Sequence, residues 1–178
     1  MSETRTYRAG ILHGGGYAGG ELLRLLLAHP HVTPAVITSR TYAGKPVWTA
    51  HTALRGATEL VFSDDGALEE LLDLDVVLVS AEHGKSAATI VKLLDAGYEG
   101  AVVDLSADFR FRDPAAYESW FGFTHPAPDL IDRFQYGIPE IFGPYPAGTR
   151  FVANPGCFAS AITFGLWPLA SQNVTATV

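Results

Sequence analysis

Cys157 follows Asn154-Pro155-Gly156 and stands at what reads as the first residue of a helix. There the helix dipole and the unpaired N–H groups of the first turn favour thiolate over thiol, which is the form that attacks an electrophilic carbonyl. It is the only cysteine in 178 residues, so no internal disulfide, CxxC redox pair or cysteine-based zinc site can be built within this chain. A thiol that only fills core space is the competing reading. The tight turn before Cys157 and the glycine motif far upstream favour chemistry.

That motif is Gly14-Gly15-Gly16-Tyr17-Ala18-Gly19, a match to G-x-G-x-x-G between a strand and a helix. Bare backbone at such a place lets a pyrophosphate approach N–H groups at the positive end of a helix, so all six residues are assigned to the cofactor. About twenty residues on, the second strand ends in Thr38-Ser39-Arg40, where an NAD enzyme usually places Asp or Glu on the ribose 2′-hydroxyl. Hydroxyls followed by arginine suit a 2′-phosphate, which predicts NADP over NAD. A purely solvated Arg40 would instead leave NADH and NADPH with equal specificity constants.

Two further stretches end apolar strands, where folds of this kind gather ligand groups. Asp104-Leu105-Ser106-Ala107-Asp108-Phe109-Arg110 brings Arg110, with Arg112 beside it, as a fork for phosphate; a solvated strand exit with Asp–Arg pairing is the alternative. In Glu82-His83-Gly84-Lys85, His83 is placed to face the cofactor. The other five histidines read as surface or packing residues, and no spacing among them forms a metal site.

The elements that must position these groups alternate. Tyr7 to Leu12, Thr33 to Thr38, Val76 to Ser80, Ala101 to Leu105 and Phe151 to Ala153 read as strands. Glu21 to Ala28, Ala67 to Leu74, Ser86 to Ala96 and Phe158 to Ala170, continuing from Cys157, read as helices. Asp113 to Pro146, rich in proline, glycine and aromatics, reads as a long packed excursion, and Val174 to Val178 as the start of another strand. The pattern predicts an α/β fold, a doubly wound, mostly parallel sheet of Rossmann type. Residues 1–156 form the NADP-binding domain, and 157–178 the cysteine helix with the beginning of a second domain.

Composition narrows the partners. A net charge of -7, from 12 Lys+Arg against 19 Asp+Glu, offers no footprint for a polyanion, so nucleic acid is not expected. The apolar stretch around Ala161 to Ala170 is broken by Gly165 and Pro168 and falls short of the ~20 residues that cross a bilayer. No membrane span is expected, and the polar N-terminus lacks an apolar targeting segment, which gives a cytoplasmic address.

Taken together, Gly16-Tyr17-Ala18-Gly19-Gly20-Glu21-Leu22, Thr38-Ser39-Arg40, Leu105 to Arg110, Tyr136-Gly137-Ile138-Pro139-Glu140 and Asn154 to Cys157 resemble the N-acetyl-gamma-glutamyl-phosphate reductases, within the aspartate-semialdehyde dehydrogenase superfamily. The resemblance runs collinearly from about Arg8 to the last residue. It implies an NADPH-dependent reduction in arginine biosynthesis: the Cys157 thiolate displaces phosphate from an acyl phosphate to give a thioester, which hydride converts to an aldehyde. It also implies that Asn154 and the first helical N–H groups stabilise the oxyanion, that Arg110 anchors substrate phosphate, and that the full-length protein is a homo-oligomer. A related branch reduces carrier-protein-linked aminoadipate phosphate in lysine biosynthesis; the Asn-Pro-Gly before Cys157 favours the arginine branch.

Two positions depart from the family pattern. His13 stands where a glycine usually opens the turn, with Gly14 and Gly15 expected to shift the flexibility one position along, and Phe158-Ala159-Ser160 replaces the usual residues after the cysteine. The family's general acid/base is a histidine in a second α+β domain that also builds the subunit interface and follows the cysteine helix. Its absence from the 178 residues is read as truncation, with weak NADP binding and poor turnover expected. The rivals are a non-catalytic dinucleotide-binding module, in which Cys157 is a packed or oxidisable thiol, and an assembly piece completed by a separate second half.

Overall fold

A computed structural model describes residues 6–172. In chain order the elements are β1 (Tyr7–Leu12), α1 (Tyr17–Leu27), β2 (Val32–Ile37), β3 (Val76–Val79), α2 (Ser86–Asp95), β4 (Ala101–Asp104), α3 (Ala115–Phe121), β5 (Gln135–Tyr136), α4 (Pro139–Phe142), β6 (Phe151–Ala153) and α5 (Cys157–Ala170). The strands form one six-stranded sheet in the order β2-β1-β3-β4-β6-β5, and every neighbouring pair is parallel. This is the expected α/β sheet. The strand predicted at Val174 to Val178 lies outside the described residues.

The chain winds outward from β1 to β2, then starts its second half at β3 on the other side of β1. Between β1 and β3 the connections therefore leave in opposite directions, which opens a crevice at the carboxyl ends of those strands. Adjacent strand residues supply opposite layers of core. Ile11 joins Leu23, Ile37, Val47, Leu54 and Phe62 on one face, and Leu12 joins Val77, Ile90, Leu93, Tyr117 and Phe134 on the other. Pro34 in β2 is tolerated because that strand is an edge, and the β1–β2 register shifts beside it, between Ala9 and Gly10.

Two expectations are corrected. The helix predicted over Ala67 to Leu74 is only a 3-10 turn, Leu68–Leu71. At three residues per turn, Leu68, Leu71 and Leu74 fall on one face, and Leu71 and Leu74 press so closely on Gly10 that a Cβ there would lie 2.8 and 2.7 Å from them. The excursion after Asp113 contains a strand: β5 pairs with β6 through Gln135 and Tyr136 and closes that edge of the sheet. Its aromatics do pack, with Phe109 stacked on Phe134 and Tyr117 beside His125.

Among the described residues no helix is long and apolar enough to cross a membrane. α5 is apolar along its length yet has no buried residue; Phe158, Ile162, Leu166 and Leu169 stand exposed.

Candidate active site

The residue with left-handed backbone in the glycine turn is His13, at φ 59°, not one of the glycines that follow. Gly14, Gly15 and Gly19 are instead required by close packing. A Cβ on Gly14 would lie 2.4 Å from Ile37, one on Gly15 2.6 Å from Ser39, and one on Gly19 2.3 Å from the Gly14 carbonyl oxygen, where α1 crosses the turn. Gly16 differs: it caps α1, and a Cβ there would meet nothing within 4 Å. That bare position lies at a helix N-terminus and lines the crevice between β1 and β3, a setting whose unpaired N–H groups favour negative charge. Tyr17 and Ala18 open α1 with exposed side chains.

The crevice encloses about 480 Å³. His13, Gly15, Gly16, Ser39 and Arg40 line it from the β1 and β2 side, and Ser80, Ala81, Glu82 and Lys85 from the β3 and α2 side. Ser39 and Arg40 thus reach the crevice, while Thr38 is buried and acts one layer below. The Thr38 hydroxyl donates to Asp65 at 2.6 Å and accepts from the His13 N–H at 3.1 Å. Burial pushes the Asp65 carboxyl up, but hydrogen bonds from His13 and Thr38, the His13 charge and the Arg40 N–H outweigh it and hold Asp65 below the ordinary carboxylate range.

His83 stands apart from this crevice. Its Nδ1 accepts from the Ala107 N–H at 2.9 Å and its ring lies 6.0 Å from that of Phe121, so its contact is with the loop after β4. Two histidines expected to be surface or packing residues hold the site's backbone. His51 Nε2 lies 2.8 Å from the Gly14 carbonyl oxygen, and His13 faces the crevice itself. Only the unusual residue type at the head of the turn pointed to His13; nothing in the sequence pointed to His51 or Asp65.

The loop after β4 is not a solvated exit with Asp–Arg pairs. Asp104 is fully buried and accepts from the Ser86 and Ser106 hydroxyls, and burial, outweighing those bonds, raises its carboxyl above the ordinary value. Asp108 accepts the Gly84 and Ala87 N–H groups at 2.7 and 2.9 Å, which caps α2 from across the sheet. Arg110 donates from Nε to the Asn154 carbonyl and from Nη2 to the Leu105 carbonyl, both at 2.8 Å. Its guanidinium therefore ties the turn before the cysteine to the end of β4, with Nη1 beside Gly156.

Cys157 is exposed and is the first residue of α5, capped by Gly156. Ser160 N–H is bonded to the Gly156 carbonyl, and the N–H groups before it have no acceptor within the helix. The Asn154 side chain donates to the Pro155 carbonyl at 3.1 Å. β6, whose carboxyl end leads into the turn before Cys157, lies two strands along the sheet from β3 and runs parallel to it, so the cysteine turn and the crevice share one edge of the sheet. Among the described residues no three His, Cys, Asp or Glu side chains converge on a metal position.

The family model for the NAD-binding domain of semialdehyde dehydrogenase matches residues 8–145. The chain is 42% identical over 169 residues to the LysW-L-2-aminoadipate/LysW-L-glutamate phosphate reductase of Saccharolobus solfataricus, covering 94% of this chain and 47% of that protein. It is 40% identical over 167 residues to the N-acetyl-gamma-glutamyl-phosphate reductase of Saccharophagus degradans, again covering 94% of this chain and 47% of that protein. The crystal structure of aspartate semialdehyde dehydrogenase with NADP from Candida albicans shares the fold, with a TM-score of 0.61 at 18% identity over 96% of this chain and 48% of that one. The chain spans about half the length of the curated relatives it matches.

Proposed function

Because this chain belongs to the semialdehyde dehydrogenase family, we propose that it is the cofactor- and nucleophile-bearing part of an NADP-dependent acyl-phosphate reductase. The observation that carries this reading is the placement of an exposed cysteine at the start of α5, on the same sheet edge as the β1–β3 crevice. Bare Gly16 and the N-terminus of α1 fit the pyrophosphate, and Ser39 with Arg40 fits the 2′-phosphate. NADP, when bound, supplies or accepts the hydride.

The chain's own residues do the rest. The Cys157 sulfur attacks the acyl carbon, the carbon–oxygen bond to phosphate breaks, and inorganic phosphate leaves with the bonding pair, giving a thioester. The first N–H groups of α5 are the donors offered to the developing oxyanion, and the Asn154 amide, which gives one hydrogen to the Pro155 carbonyl, has a second to offer. Arg110 holds the turn by two of its nitrogens, and its Nη1 is the group left to meet phosphate.

N-acetyl-gamma-glutamyl phosphate is the first candidate substrate, from the Asn-Pro-Gly before Cys157. Carrier-bound aminoadipyl or glutamyl phosphate is the second candidate, since the identity to a LysW-dependent reductase is comparable to that to an N-acetyl-gamma-glutamyl-phosphate reductase. The test is phosphate-dependent reduction of NADP by N-acetyl-glutamate semialdehyde and, separately, by the LysW-bound aldehyde. It is run on this chain and on the chain joined to the C-terminal half of a curated relative, each beside Cys157→Ala. Activity with one aldehyde that vanishes in Cys157→Ala supports the reaction and picks the branch. Retained NADP binding with no turnover of either aldehyde, and no faster alkylation of Cys157 than of a free thiol near neutral pH, points to a binding module instead.

A further inference from the structure

We propose that His13 is a ligand of the cofactor's pyrophosphate, a charged side chain built into the head of the glycine turn and braced from both sides of the crevice. The inference rests on the reading of that crevice as a dinucleotide site.

The backbone of His13 is left-handed, φ 59°, a region that glycine occupies freely and other residues rarely enter. A residue kept there is held by its surroundings, and such residues gather at ligand clamps. Three contacts hold this one: its N–H donates to Thr38 Oγ1 at 3.1 Å, its Nδ1 lies 2.9 Å from Asp65 Oδ2, and its Nε2 lies 3.4 Å from Thr89 Oγ1.

Both ring nitrogens face acceptors. Asp65 is an ionised carboxylate, and the Thr89 hydroxyl directs its own proton to the Lys85 carbonyl at 3.1 Å, leaving a lone pair for Nε2. That arrangement suits an imidazolium that donates on both sides. The bond to Asp65 is short, whereas the one to Thr89 is long and open to exchange for a phosphate oxygen.

The surrounding charges leave His13 able to act on an anion. From the β2 side it meets Asp65, which already accepts from His13, Thr38 and the Arg40 N–H, and the Arg40 side chain also lines the crevice. From the β3 and α2 side it meets Glu82, paired with Lys85. Gly15 and Gly16, which line the same crevice, put no side chain between the ring and the entering phosphates.

NADP binding to the chain is measured by titration calorimetry at pH 5.5, beside His13→Gly and His13→Asn, two replacements that tolerate left-handed backbone and keep the turn. Thermal unfolding of each variant checks the fold. Wild type should bind NADP about tenfold more tightly than either variant, the lower end for a charge-assisted bond, whereas adenosine 2′-phosphate, which lacks the pyrophosphate, should bind all three alike. Equal binding of NADP by wild type and His13→Gly, or the same loss with adenosine 2′-phosphate, overturns the role of His13 while leaving the dinucleotide site standing. Failure of wild type to bind NADP or NAD overturns both.

Discussion

Arg110→Ala removes two charge-assisted hydrogen bonds of 2.8 Å that join Asn154 and Leu105 across the gap between β6 and β4. Bonds from a charged donor contribute about 1.5–3 kcal/mol each; the side chain is half-buried, so the lower figure applies and the pair is worth about 3 kcal/mol. For a chain of this size that lowers Tm by roughly 6–12 °C. The released turn carries Cys157, and a displacement of about 1 Å at a reacting atom costs on the order of 100-fold in rate. Thermal and urea unfolding measure the first effect, and kcat of the phosphate-dependent reaction measures the second. Arg110→Lys separates the strut from the phosphate contact: a point charge keeps the KM for phosphate near wild type but cannot span two carbonyls, so the stability loss remains. A stability change below about 0.5 kcal/mol in Arg110→Ala, with kcat intact, would show that the guanidinium does not hold the turn.

Gly19→Ala should displace α1, because the new methyl would sit 2.3 Å from the Gly14 carbonyl oxygen, and both Tm and NADP binding should fall. Gly16→Ala, with open space around the methyl, should keep its Tm and lose only cofactor affinity, which calorimetry distinguishes. Asp65 has a carboxyl held below its ordinary 3.8, so its contribution is present above that value and is lost as pH falls through the lower, folded value. Acid titration of stability should therefore be shallower below about pH 4 in Asp65→Asn than in wild type. Tyr117 donates to the Phe111 carbonyl and accepts the Phe111 N–H, and burial raises its hydroxyl to about 12. Tyr117→Phe should cost about 2 kcal/mol in urea unfolding, without effect on NADP binding.

Much of the fold was legible because parallel strands covered on both faces are short, unbroken apolar runs, as in Val76–Val79 and the Ala101-Val102-Val103 stretch of β4. β5 was not legible: two residues, Gln135 and Tyr136, are too few for any period, and they pair only because β6 offers them a free edge. The leucines of 68–74 suit a helix of either pitch, and close contact with Gly10 decides for the tighter one. Within the site, local signals marked Gly16, Ser39, Arg40 and Cys157. The side-chain partners of His13 and Gly14 lie 25 to 76 residues away in the chain, and such pairings leave no local trace.

The same separation has a consequence for how the protein moves. The glycine turn is braced by His51 and Asp65, both in the long crossover between β2 and β3, so order in the turn and docking of that crossover support each other. A ligand that binds the ordered turn stabilises the docked crossover by mass action. Amide hydrogen exchange across residues 40–65 should therefore slow on addition of NADP, including at amides that never approach the ligand.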